Sequence, residues 1–395
     1  MLKYVTLFFA LFLAFLDYKA YRRIKRSGVN GIMRHMLLVF LIAINLLPLI
    51  APLLTFLFMD ESNSQNVMKY TSIIFTLFIV FTMTRLVLYI FWLPSKGRFL
   101  KYCGLISGAL IFVFIMKSIF VTRTDYTVKE VDITFDNLPS SFDGYRIAFV
   151  SDIHIGSMYN KERELENIVE KVNSTEADII LFGGDLINLH HSELDRRTLE
   201  ILSRMRVSHP TVAVLGNHDT GIYLRDSSGV KNRINTVELE RKIASAGWVL
   251  LKDSTLYLYR GNDSIAVTGI DYSNELLMYK HSYGVPENYD PSNVYSGVDD
   301  NTFNITISHL PQLWSILGSG GYSDLVLSGH IHAFQFKIDL LGKVFSPASC
   351  MYKEWSGFYE DGNSKLYITD GIGTVGFLAR LGATPEITVI NLRKE

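Results

Sequence analysis

Five short blocks in the second half of the chain could do metal chemistry. They are Asp152-Ile153-His154, Gly183-Gly184-Asp185, Gly216-Asn217-His218-Asp219, Ser308-His309 and Gly329-His330-Ile331-His332. Each directly follows a run that reads as a β-strand, so five strand ends would deliver carboxylate, amide or imidazole donors to one edge of a sheet. Ligands of open α/β sheets gather at such carboxyl ends. Oxygen plus imidazole without thiolate suits Mn, Fe or Zn in roughly octahedral sites. In Asp152-x-His154 and His330-x-His332, alternate residues of an extended chain point the same way, which predicts that both members of a pair reach one metal. Glycines 184, 216 and 329 permit turns that bring backbone close to the ions. Taken singly, an Asp-x-His is ordinary polar packing and an Asn-His-Asp is turn chemistry; all five in order after strands are neither. His190, His191, His209 and His281 have no such setting and read as surface residues.

The elements that must position these blocks alternate. Arg146–Val150 predicts a buried strand, Asn160–Val172 a helix with Leu165, Ile168, Val169 and Val172 on one face, and Asp178–Phe182 a second strand. A helix near Glu193–Met205, a strand at Thr211–Leu215 and a helix at Thr236–Ala246 follow. The chain then turns β-rich: Trp248–Leu251, Thr255–Tyr259, Ser264–Ile270, Phe303–Ile307 and Leu325–Leu327, closed by Lys365–Ile368 and Glu386–Asn391. This order predicts an α/β layered sandwich. Asn274–Asn301 is polar, carries Pro286 and Pro291, and reads as a long surface loop.

Before residue 121 the composition is different. Hydrophobic residues are 48% of the 395-residue chain and charged residues 19%, and the apolar excess sits in four stretches: Leu2–Leu16, Met36–Met59, Tyr70–Leu93 and Tyr102–Val121. The last three approach or exceed the ~20 residues that cross a bilayer as helix. The first runs into Tyr21-Arg22-Arg23-Ile24-Lys25-Arg26 with no small-residue cleavage site, and reads as an uncleaved span. Basic residues cluster between the first two stretches (Lys19 to Arg34) and between the last two (Lys96, Arg98, Lys101), whereas residues 60–66 have none. Basic loops face the cytoplasm, so the domain after Thr122 is expected outside, even if the first stretch is not a span. Arg85, well inside a stretch, is placed to snorkel, and the helices are expected to be a plain anchor, with a lipid-guiding role as the alternative. The net charge of −1 gives no attraction for nucleic acid. Cys103 and Cys350 carry neither a disulfide framework nor a Cys-x-x-Cys metal pattern.

Residues 145–395 resemble the calcineurin-like metallophosphoesterase superfamily, and Asp370-Gly371-Ile372-Gly373-Thr374, Arg380 and Pro385-Glu386-Ile387-Thr388 resemble the ending of its YaeI/YkuE-type membrane-anchored branch. The resemblance implies a four-layer α/β/β/α sandwich over residues 145–395, behind a linker at 122–144 and a membrane region at 1–121 with about four transmembrane helices. It implies two divalent metal ions, one held by Asp152, His154, Asp185 and His332, the other by Asp185, Asn217, His309 and His330. His218 matches the residue placed beside the leaving-group oxygen, with Asp219 orienting it. There are departures: Ala333-Phe334-Gln335 stands where the branch has Gly-Gly-Gln, and Asn188 where many relatives have an acidic residue. The implied activity is hydrolysis of a phosphodiester or pyrophosphate bond by water activated between two metals, in a lipid-linked or cell-envelope substrate. UDP-2,3-diacylglucosamine-type pyrophosphate hydrolysis fits the branch, although that substrate is made on the cytoplasmic side. The expected setting is a bacterial inner membrane, with phosphoester substrate and membrane lipids as partners. The alternative is a membrane sensor or scaffold with a non-catalytic phosphoesterase domain, which would normally show missing ligands.

Overall fold

The computed structural model describes residues 2–58, 64–224, 229–272, 289–299 and 301–395. It has two compact units, one of the amino-terminal helices with residues 376–379, the other of residues 121–375 and 380–395. His281, most of the polar segment Asn274–Asn301, and residues 60–63 of the loop without basic residues lie outside the described residues.

The helical unit contains α1 (Leu2–Lys25), α2 (Gly31–Phe58), α3 (Ser64–Trp92) and α4 (Arg98–Phe120). Among the described residues, Gly31–Ile50, Asn66–Trp92 and Arg98–Thr124 are long and apolar enough to cross a membrane. The apolar stretch Leu2–Leu16 is the start of a longer helix whose second half carries Asp17, Lys19, Arg22, Arg23 and Lys25. Gly104 and Gly108, one turn apart on α4, let it approach α3; a Cβ at Gly104 would lie 3.0 Å from the Leu88 carbonyl oxygen. Arg85 does not snorkel. It is 8% exposed, its Nη1 donating to Asp17 Oδ2 at 3.0 Å and its Nη2 to Asn45 Oδ1 at 2.7 Å. Asn45 Nδ2 and Tyr89 Oη donate to the same carboxylate at 2.7 and 2.9 Å.

The second unit is built on two six-stranded sheets. In the first, β2 (Arg146–Val150), β3 (Ile179–Phe182), β4 (Val212–Ala213) and β5 (Val249–Leu250) run parallel, and β14 (Glu386–Lys394) lies antiparallel beside β2. Thr127–Phe135, expected in a linker, is β1, parallel to β14 from Thr127↔Glu386 to Phe135↔Lys394. Its alternation buries Ile133 and Phe135, so the unit begins before residue 145. In the second sheet β7 (Asp263–Gly269), β8 (Asn304–Ile307), β9 (Leu325–Ser328) and β13 (Ser364–Ile368) are parallel, flanked by antiparallel β6 (Ser254–Arg260) and β12 (Gly357–Asp361). β10 (Ile338–Leu340) and β11 (Lys343–Phe345) form an exposed hairpin with no counterpart in the sequence expectation.

Alternation along the strands fills three layers of core. Ile147, Phe149, Ile179 and Leu181 point inward and meet Ile265, Val267, Ile305, Leu325 and Leu327 of the facing sheet. Ala148, Val150, Ile180 and Phe182 point outward, onto Leu165, Ile168, Ile201, Leu239 and Ile243 of α5 (Lys161–Asn173), α6 (Arg196–Leu202) and α7 (Val230–Ser245). Val326, Leu366 and Ile368 pack on Leu313, Trp314 and Leu317, from the turn before and the body of α8 (Trp314–Ser319). The result is the expected α/β/β/α layering. Its consequence for function is that β2, β3, β4, β8 and β9, all parallel within their sheets, end along one rim.

Candidate metal centre

All five donor blocks leave the carboxyl ends of those strands. The chain turns sharply there: Asp152 (φ 58°), His154 (48°), Asp185 (58°), His330 (73°) and His332 (53°) take left-handed backbone conformations. Such conformations in non-glycine residues cost energy and concentrate at functional sites. Tight approach explains the glycines. A Cβ at Gly184 would sit 2.6 Å from Gly216 N, and one at Gly216 or Gly329 would strike Asp185 Oδ1 or Asp152 Oδ2.

The side chains converge in two groups that share Asp185. Ligand atoms of Asp152, His154, Asp185 and His332 lie within 4.8 Å of one another, as do those of Asp185, His309 and His330. In the first group His332 Nε2 is 3.1 Å from Asp152 Oδ1 and 3.1 Å from His154 Nε2, and His154 Nε2 is 3.6 Å from Asp185 Oδ2. In the second, His309 Nε2 is 3.2 Å from Asp185 Oδ2, and Asn217 Oδ1 is 2.9 Å from both His309 Nε2 and His330 Nδ1. The extended-chain argument therefore fails for His330-x-His332: the left-handed turns send the two imidazoles to different groups. Two buried carboxylates and several lone-pair-bearing atoms pointed at each other need cations between them. This donor set fits divalent metals in each group.

Neighbouring groups fix the donors. His309 Nδ1 donates to the Gly183 carbonyl at 2.8 Å, which leaves Nε2 for the centre. Asn217 Nδ2 donates to Tyr223 Oη at 2.7 Å, so its oxygen faces the histidines. Asp219 does not orient His218. It is fully buried and accepts from the backbone N–H groups of Asp185 (2.7 Å), Leu186 (3.0 Å), Ile187 (3.1 Å) and Gly216 (2.9 Å). It clamps the turn carrying Asp185 to the turn carrying Asn217. His218 is oriented instead by Asn188, whose carbonyl accepts from Nδ1 at 2.6 Å. Tyr223, the Gly183 and Asn188 carbonyls and the clamp by Asp219 were not legible in the sequence, because each depends on a through-space neighbour. Arg380 is also fully buried, donating to the carbonyls of Gly373, Asp370 and Ala383 with Nη2 3.4 Å from His332 Nδ1.

Charge follows from this packing. Burial alone would raise the Asp152 and Asp185 carboxyls. His332 beside Asp152, and His309 and His218 beside Asp185, nevertheless hold both below the usual carboxylate range. Burial holds His154 well below the imidazole range and His330 down to about 3, so both are neutral. His309 goes the other way, raised to about 9 against its burial by the Asp185 charge. Burial and the Asp185 charge push Asp219 up, while its four N–H donors favour the ionised form.

Residues 145–334 match the calcineurin-like phosphoesterase family, and the chain carries a metallophosphoesterase domain of that family. It is similar to the uncharacterized metallophosphoesterase YkuE of Bacillus subtilis, 26% identical over 316 residues, 76% of this chain and 98% of that protein. A transmembrane protein with metallophosphoesterase domain from Danio rerio is 28% identical over 270 residues, 68% of this chain and 57% of that protein. The phosphodiesterase YaeI of Escherichia coli is 24% identical over 251 residues, 63% of this chain and 82% of that protein. Domain and relatives together make the chain a phosphoester hydrolase. The apolar helices suggest that it is associated with a membrane.

Proposed function

We propose that the chain is a membrane-anchored phosphohydrolase that uses two divalent ions, Mn, Fe or Zn, to cleave a phosphodiester or pyrophosphate bond in a lipid-linked or cell-envelope substrate. The observation that carries the reading is the convergence of Asp152, His154, Asp185, Asn217, His309, His330 and His332 in two groups about one bridging carboxylate. Asp152, His154, Asp185 and His332 would hold one ion, and Asp185, Asn217, His309 and His330 the other. When bound, such a pair supplies an acidified water and neutralises phosphoryl charge.

The chain's own residues do the rest. Asp219 and the Gly183 carbonyl keep the Asp185 turn and His309 in register, so the donors need no rearrangement on binding. His218, its Nδ1 donating to the Asn188 carbonyl, keeps Nε2 free, and as the imidazolium it would carry there a proton to give to the leaving oxygen. The name of the Escherichia coli relative favours diesters. The donor set is complete, which argues against a non-catalytic scaffold.

The lipid assignment rests on the apolar helices in the same chain. An extracytoplasmic domain in a bacterial inner membrane rests on Lys19–Arg34 and Lys96–Lys101 set against residues 60–66 without Lys or Arg. UDP-2,3-diacylglucosamine-type substrates suit a cytoplasmic site, so envelope phospholipids and polyprenyl-linked phosphates suit this topology better. The test pairs fractionated membrane-lipid extracts with reporter fusions at the carboxyl terminus. Release of a water-soluble phosphorylated product from an envelope lipid, with an external terminus, is expected. A cytoplasmic carboxyl terminus removes the envelope assignment, and turnover only of water-soluble esters removes the lipid one.

A further inference from the structure

Ionisable side chains inside membrane helices are costly and tend to mark function. The Arg85 network is not fully satisfied. Its Nη1 and Nη2 are bonded to Asp17, Asn45 and Thr82, but its Nε, buried, has no hydrogen-bond partner, nor has the buried Thr84 Oγ1. Both residues line one cavity of about 360 Å³ within the helical unit. Its other walls are almost wholly apolar, with Phe40 and Ile44 of α2 and Leu88 and Trp92 of α3 among them.

Three properties define what fits. The volume is roughly twelve times the ~30 Å³ share of one liquid water, which suits a chain rather than a single solvent molecule. The walls call for hydrocarbon. The two unpartnered groups call for an acceptor, and because Asp17 already balances the guanidinium at 3.0 Å, a neutral acceptor suffices. Arg85 precedes Trp92, the end of α3, by seven residues, about 10 Å of helix. That depth is comparable to the ~5–10 Å by which interfacial groups enter the headgroup–acyl boundary.

We propose that this cavity holds one acyl chain of an ester-linked glycerolipid, whose ester carbonyl accepts from Arg85 Nε and Thr84 Oγ1. The helical unit is then a lipid-binding element, not a plain anchor, and this holds whichever bond the metal centre cleaves. The test uses the full chain in detergent, incubated with diacyl phosphatidylglycerol or its dialkyl ether analogue, with retained lipid counted by native mass spectrometry. One diacyl lipid per chain is expected, and about tenfold weaker retention of the ether, which lacks the carbonyl. Thr84→Val should weaken the diacyl lipid several-fold and leave the ether unchanged. Ile44→Trp, which fills the cavity, should abolish retention of both; Ala20→Leu fills it from α1 if that variant does not fold. Equal retention of ester and ether, retention unchanged in the filled variants, or a cavity holding only water would each overturn the proposal.

Discussion

Asp219→Asn tests the architecture of the centre without touching a metal donor. Oδ2 of Asp219 accepts from Asp185 N and Gly216 N, and Oδ1 from Leu186 N and Ile187 N. An amide keeps one oxygen and turns the other acceptor into a donor, so whichever way it flips two buried N–H groups lose their partner. Each such loss costs about 1–3 kcal/mol. Removing the charge also relieves repulsion with Asp185, which places the net destabilisation near the lower part of that sum, about 2–4 kcal/mol. At ~2–4 °C per kcal/mol for a domain of this size, the melting temperature should fall by about 4–16 °C. A second effect is separable: with its N–H anchor gone the Asp185 turn relaxes, and fewer than two ions should be retained after dialysis. Circular dichroism melts of the full chain in detergent give the first quantity, and elemental analysis the second. An Asn variant with the parent's melting temperature and metal content would refute the clamp.

Other consequences follow from single contacts. Arg380→Ala strands three carbonyls and removes a buried cation near Asp370, Asp152 and Glu386, though Lys337 still pairs with Asp370 and Lys129 with Glu386; it should cost about 3–5 kcal/mol in urea unfolding, and Arg380→Lys should recover only part of it. In metal-free protein His309, raised to about 9 by Asp185, contributes stability that is fully present below its unfolded pKa of about 6.5 and lost as pH rises through about 9. The urea midpoint should therefore decline between those limits, and the decline should vanish in metal-loaded protein, where His309 must be neutral. Ala333 has φ 48°, a conformation that costs an L-residue about 1–2 kcal/mol; Ala333→Gly should raise the melting temperature slightly, since glycine returns about 0.5–1 kcal/mol of that as chain entropy.

The sequence carried the parts of the site that the strands position. Each of the five donor blocks follows a strand whose apolar run is local, so order, strand and ligand type could be read together. What escaped notice depended on neighbours distant in the chain. β1 pairs with β14 some 260 residues later, so its Val131, Ile133 and Phe135 alternation looked like a linker. Asp17 fell one residue beyond an apolar stretch that seemed to end at Leu16, and only its contact with Arg85 shows that the helix continues and that the arginine is neutralised rather than snorkelling. Left-handed backbone at Asp152, His154, Asp185, His330 and His332 has no glycine signal. The extended-chain rule therefore put both imidazoles in one group, whereas the left-handed turns separate them. The Ala333-Phe334 departure from Gly-Gly keeps the left-handed backbone that glycines would favour, with φ 48° and 51°.

The central claim is that Asp185 joins two metal sites into one hydrolytic centre. The most direct measurement loads the full chain with Mn²⁺, counts bound ions, and follows cleavage of bis-p-nitrophenyl phosphate by the parent and by Asp185→Ala. The account predicts two ions per chain and metal-dependent diester cleavage in the parent, with both lost together in the variant. Turnover unchanged in Asp185→Ala, or no cleavage by a parent that demonstrably holds two ions, would contradict it.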